Sequence, residues 1–77
     1  MFADSLVNIP IGKTATIKEI IAQEVILNRL ADLGIINKSV ITPILRSYDN
    51  NLTAYLINGA VIALRKETAE KIKVILQ

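Results

Sequence analysis

The dipeptide Asn58-Gly59 constrains this chain more than any other pair of residues in it. Both residues tolerate the left-handed backbone that a two-residue hairpin turn demands, and a run of apolar residues lies on either side. Leu52–Ile57 and Ala60–Arg65 are therefore read as antiparallel strands joined by a tight turn. Residues 67–72 then read as one helical turn, and residues 73–76 as a closing strand.

The upstream half supplies the other pieces. Residues 13–22 are rich in isoleucine and β-branched side chains, which favours a strand. Ala15 and Ile17 share one face but Ile20 is out of phase with them, so a bulge or bend is expected near Lys18-Glu19. Residues 24–33 make the one convincing helix: Ile26, Leu30 and Leu33 recur at spacings of four and three, and Leu27 and Ala31 widen the stripe. Glu24 stands at the positive end of its dipole, and Gly34 is placed to end it in the left-handed conformation. Residues 39–47 read as a strand containing Pro43, which has no amide hydrogen and so must face an edge or a bulge. Tyr48-Asp49-Asn50-Asn51 is a polar hairpin loop, since Asx side chains bond to their own backbone. Ser5-Leu6 opens a short helical turn with Ser5 as N-cap, and Ile9-Pro10-Ile11-Gly12 reads as a turn. Five short strands, tight hairpins and one inserted helix amount to a single domain over residues 1–77. Its class is mainly β with one α-helix, folded as a small, partly open barrel.

A chain of 77 residues buries only about 60% of its unfolded surface. It has no cysteine, so apolar packing alone, or a partner, must hold it together. At 52% hydrophobic and 4% aromatic, it carries more branched aliphatics than a small barrel can enclose. Exposed apolar surface is expected, either as a contact site or as a merely greasy exterior. There is no histidine, hence no side chain that titrates unperturbed near neutrality. Without cysteine there is also no thiolate nucleophile and no soft metal ligand, and finger-type zinc sites are excluded. No catalytic group, metal or cofactor is expected. Met1-Phe2-Ala3-Asp4 is not a basic, apolar signal segment, and no apolar run is long enough to cross a bilayer, so a cytoplasmic protein is expected.

Several patterns invite a sharper reading and fail it. Gly12-Lys13-Thr14 matches the tail of a phosphate-binding loop, but the glycine needed five residues earlier is Val7, and a strand follows where a helix is required. Asn37-Lys38-Ser39 and Asn51-Leu52-Thr53 match the glycosylation tripeptide but read as turn residues. Glu67 and Lys71 stand four apart, as in a helical ion pair, and the cluster of Glu67, Glu70 and nearby lysines reads as a solvated face. Arg29, Arg46 and Arg65 suit either an anion or a structural bond to turn carbonyls or aspartates. Nucleic-acid binding would want basic residues interleaved with aromatics; only Phe2, Tyr48 and Tyr55 are present and the net charge is only +2.

Taken together, Leu6, Gly12, Ala15, Ile17, the run Arg29-Leu30-x-x-Leu33-Gly34-Ile35, Val40, Gly59, Ala63-Leu64-Arg65-x-x-x-Ala69 and Ile72-x-Val74 resemble the FeoA family. The resemblance spans residues 5 to 76. It implies a small cytosolic barrel of the SH3-like type that serves bacterial ferrous iron uptake beside FeoB, a membrane permease with a cytosolic GTP-binding domain. Similar domains also close some metal-dependent repressors. Asn37-Lys38 stands where the family often has a Pro-Gly turn, which asparagine in a left-handed conformation would preserve, and Asp49-Asn50-Asn51 replaces glycines of the third hairpin.

The resemblance thus implies a non-enzymatic adaptor that docks on the cytosolic domain of FeoB and is recruited by it to the inner face of the membrane. Self-association through edge strands is a further expectation. The alternatives are a metal-sensing or repressor-associated SH3-like domain, or a small nucleic-acid-binding barrel. The first candidate contact surface is the helix-to-strand loop, Gly34, Ile35, Ile36, Asn37 and Lys38. Its two isoleucines either include one that faces outward to a partner or both cover the open end of the barrel. Arg46, Tyr48 and Leu56 come second; alternation puts Leu56 outside if Tyr55 and Ile57 face the core.

Overall fold

The computed structural model describes residues 4–77. Phe2 and most of the amino-terminal stretch weighed above as a signal segment lie outside the described residues. Six antiparallel strands form one sheet: β1 (Asp4–Ser5), β2 (Ala15–Ile20), β3 (Val40–Arg46), β4 (Leu52–Ile57), β5 (Ala60–Arg65) and β6 (Ile72–Leu76). Their order is β1-β6-β2-β3-β4-β5, so β6 returns to lie beside β2 after the meander of β3, β4 and β5. Helix α1 (Glu24–Asp32) is inserted between β2 and β3, and a single turn, α2 (Lys66–Ala69), separates β5 from β6. This is the mainly β, partly open barrel expected, with one strand more. The extra one, β1, is two residues long and too short to carry any alternation. Ser5 belongs to it, and the turn at Leu6–Asn8 that follows is 3-10, with no bond from the Ser5 side chain to cap it.

Two irregularities shape the barrel. The β2–β6 register shifts between Ile17 and Glu19, which brings Ile20 back onto the core side with Ala15 and Ile17. The β3–β4 register shifts between Pro43 and Leu45, so the proline lies beside a bulge. Between β4 and β5, Asn58 and Gly59 have φ of 51° and 79°, the left-handed pair of a two-residue hairpin.

Helix α1 ends as its sequence demands. Gly34 has φ of 85°; its amide bonds to the Ala31 carbonyl, and the Ile35 amide to the Leu30 carbonyl. This is a Schellman closure, and Leu30 and Ile35, both buried, make the apolar contact that accompanies it. The helix stops one residue sooner than its periodicity suggests. Leu33 is therefore the cap and is exposed, as is Ala31, so the inward stripe is Leu30, which is buried, with Ile26 and Leu27 half-buried beside it. In the loop that follows, the left-handed residue is Lys38, with φ of 75°, and not the asparagine before it. Helix α2 ends at Ala69, so the helical spacing that would pair Glu67 with Lys71 does not extend that far.

The interior is largely aliphatic, with Tyr55 its one aromatic ring and Thr53 its one buried polar residue among the described residues. Leu6, Ile17, Ile35, Ile41, Ile57, Ile72 and Val74 surround Tyr55, each at most 1% exposed. Among the described residues no buried side-chain polar atom lacks a hydrogen-bond partner. Burial raises the Tyr55 phenol above its ordinary value, opposed by the neighbouring Thr53 hydroxyl and by the nearby Arg46 charge. The folded chain therefore keeps the phenol protonated where the unfolded chain ionises. Its contribution to stability is intact below about pH 10 and is lost as pH rises toward the raised folded-state value. In urea unfolding from roughly pH 9 to 11, stability is expected to fall with pH, and Tyr55→Phe to flatten that fall; an unchanged slope would place the sensitivity elsewhere.

Candidate functional site

The loop after α1 forms one lip of a groove. Ile20, Leu27, Ala31, Ile35 and Ile36 give it an apolar lining, with Glu19, Asn28 and Asn37 at its margins and a volume of about 330 Å³. Ile35, fully buried, joins the core beneath it. Ile36 is 51% exposed and stands at the lip. One isoleucine therefore points each way, and they do not jointly cover the barrel end. The loop is tied down on both sides. The Ser39 hydroxyl and the Asn58 carboxamide each donate to the Gly34 carbonyl, at 3.1 and 3.4 Å, and the Lys38 amide donates to the Ile17 carbonyl at 2.7 Å. A side chain displayed on such a loop loses little further backbone freedom when it is bound.

The remaining candidates do not gather round that groove. Tyr48 is fully exposed in the β3–β4 loop, beside Asp49, whose carboxylate accepts from the Ser47 hydroxyl and the Asn51 amide. Those two bonds, the Ser47 one larger, hold the Asp49 carboxyl below its ordinary pKa. Arg46 ends β3, about 20 Å of strand from Val40 at the groove end. Leu56 is exposed, as alternation requires with Tyr55 and Ile57 buried, and sits between Thr42 and Val61 on the outer face of the sheet.

That outer face holds apolar residues the sequence reading did not single out. Val61 is 62% exposed and Leu45 69%, and Leu45 is followed across the sheet by Ala54 and Ala63. The signal for Val61 was available, because it pairs directly with Leu56 once the Asn58-Gly59 turn sets the register. Leu45 was hidden by the bulge, which reverses the alternation. Ile21, in the connection before α1, and Val25, in its first turn, are exposed as well. Among the described residues no cluster of three or more acidic side chains is placed to hold a metal ion.

Truncating the two loop isoleucines separates their roles. Ile35→Ala is expected to cost about 2–5 kcal/mol in denaturant unfolding, as for a buried aliphatic whose cavity cannot collapse. Ile36→Ala should stay within about 0.5 kcal/mol of the parent. Equal losses would mean that Ile36 is part of the core.

Comparison with known proteins agrees with the architecture. The chain superimposes on the solution structure of the FeoA protein from Chlorobium tepidum with a TM-score of 0.89 at 22% identity, covering 95% of this chain and 70% of that one. A FeoA-like protein from Clostridium acetobutylicum gives a TM-score of 0.88 at 20% identity, covering 99% and 88%. A manganese-dependent transcriptional repressor in complex with manganese gives 0.89 at 26% identity, covering 97% of this chain but only 37% of the repressor. The shared fold is the SH3-like barrel. No curated protein matches the chain. No helix among the described residues is long and apolar enough to cross a membrane. The sequence pattern of the FeoA domain matches residues 5–76, nearly the whole length, and with the core, the bulged strands and the glycine-closed helix it places this chain in the FeoA family, small accessory domains with a role in ferrous iron transport.

Proposed function

We propose that this chain is an adaptor of ferrous iron uptake that docks, as a single non-enzymatic domain, on the cytosolic GTP-binding domain of a FeoB-type permease. The observation that carries the reading is Ile36, half exposed on a hydrogen-bonded loop at the lip of an apolar groove. A fixed aliphatic side chain beside a concave apolar surface is what a partner's own apolar residues recognise, and water is displaced from both when they meet. Docking there would hold the chain at the inner face of the membrane through its partner. Asn37 and Lys38 border the loop with polar groups suited to the rim of such a contact, and the outer-face residues Leu56 and Val61 extend the apolar surface available.

In titrations against the purified cytosolic domain of the permease, Ile36→Asp is expected to weaken binding at least about tenfold, because a carboxylate would be buried without a partner. Its circular dichroism should match the parent. Unaltered affinity would move the interface off this loop. The chain alone is expected to give no GTP turnover, since Val7 stands where a phosphate loop needs glycine and Gly12-Lys13-Thr14 leads into β2. Hydrolysis by the purified chain would contradict the adaptor reading.

The likeness to a manganese-dependent repressor favours one second reading, a regulatory domain within a longer chain. A helix-turn-helix segment encoded in the same reading frame would decide for it.

A further inference from the structure

The bulge in β3 does more than bend the strand. Pro43 faces Tyr55 and Leu45 faces Ala54, so Ile44 is the extra residue. Unbroken alternation would put Leu45 inside with Ile41 and Pro43, and Arg46 outside. The added residue reverses the phase: Leu45 is exposed, and Arg46 falls in a cross-strand row with Thr53 and Leu64, both buried. A guanidinium is thereby aimed into the mouth of the barrel. Its Nε donates to the Thr53 hydroxyl at 3.3 Å and its Nη2 to the Ile9 carbonyl at 3.4 Å. Those two bonds fix the fork and leave three of its five N–H donors for another acceptor.

Arg46 borders a cavity of about 300 Å³. Lys66 stands on the same cavity, its backbone anchored by a 2.9 Å bond from its amide to the Asn51 carbonyl. Asn8, Asn50, Thr53 and Tyr55 supply the neutral polar lining. No carboxylate is among the lining residues. Asp4, the acid in contact with that lining, accepts from the Asn8 carboxamide at 2.9 Å, and Asp49 is engaged by Ser47 and Asn51. Two cations thus share a partly enclosed polar space that, among the described residues, no carboxylate lines, an arrangement that favours an anion of matching charge.

We propose that this cavity binds a dianionic oxyanion, of the phosphate monoester class. A phosphoryl group carries close to two charges at neutral pH and three strong acceptor oxygens. The fixed arginine fork meets two oxygens side by side, and the lysine acts as a point charge on the third. The volume lies at the small end of ligand sites, enough for a phosphoryl group and a few further atoms. A free phosphorylated small molecule and a phosphorylated side chain of a protein share this chemistry. The site is at the opposite end of β3 from the docking loop and does not rest on the docking proposal.

The test is an NMR titration of the full chain with inorganic phosphate and, separately, acetate. Phosphate should produce saturable shifts at the Asn50, Thr53 and Lys66 amides, with acetate at least about tenfold weaker for want of the second charge. Lys66→Gln, which leaves the backbone bond to Asn51 intact, should weaken phosphate about tenfold, as should Arg46→Gln. Absence of saturable shifts, equal binding of acetate, or an undiminished affinity in Lys66→Gln would overturn the proposal, and the last readout does not depend on how Arg46→Gln folds. Glycerol phosphate and a phosphoserine peptide then separate the sources. Tighter binding of the first assigns a free small molecule, tighter binding of the second a modified protein, and binding of neither refutes the monoester class.

Discussion

A β-strand can hide only every second side chain, and in this chain that limit meets a composition too rich in aliphatics to obey it. The barrel interior is filled by a ring of isoleucines, leucines and a valine around Tyr55. The alternate positions on the same strands, among them Val40, Leu56 and Val61, are left facing solvent. Among the described residues no second layer covers them. The apolar exterior is thus a geometric consequence of the strands.

The two bulges modify that rule, each in a direction that alternation alone would forbid. In β2 the bulge returns Ile20 to the core side, where it joins the groove under α1. In β3 it expels Leu45 and turns Arg46 inward, placing a charge where an aliphatic residue would otherwise stand. The cost of half-burying a guanidinium is offset by its bonds to Thr53 and Ile9. One extra residue therefore separates the two ends of the molecule in character. The end near Ile36 is apolar and concave, and the end near Arg46 is polar and positive.

Much of this was legible beforehand because its causes are local. Asn58-Gly59 specifies its turn, and β4 and β5 run over the residues expected. Gly34 closes α1 in the left-handed conformation that only glycine adopts without strain. The bulge near Lys18 was readable from the phase error between Ile17 and Ile20. The misses are equally physical. Strand β1 has two residues and exists only through its pairing with Val74 and Lys73. The left-handed residue of the loop after α1 is Lys38, because the turn is held by bonds to Ile17 and Ile36 that no propensity encodes.

The candidate site divides in the same way. That the loop of Gly34, Ile35, Ile36, Asn37 and Lys38 carries two aliphatics in a row was plain from the residues, and so was the outward face of Leu56. Which isoleucine points out was decided by the Schellman closure, which ties Ile35 to Leu30 and buries it, while Ile36 is left half exposed. The sequence by itself determined the fold class, the turns and the absence of histidine and cysteine chemistry, because each depends on residue type and near neighbours. Tertiary structure alone decided that Arg46 and Lys66 share a cavity and that Tyr48 and Leu56 do not share one with Ile36. Those distances follow from strand register and bulges, and register is set by contacts between residues far apart in the chain.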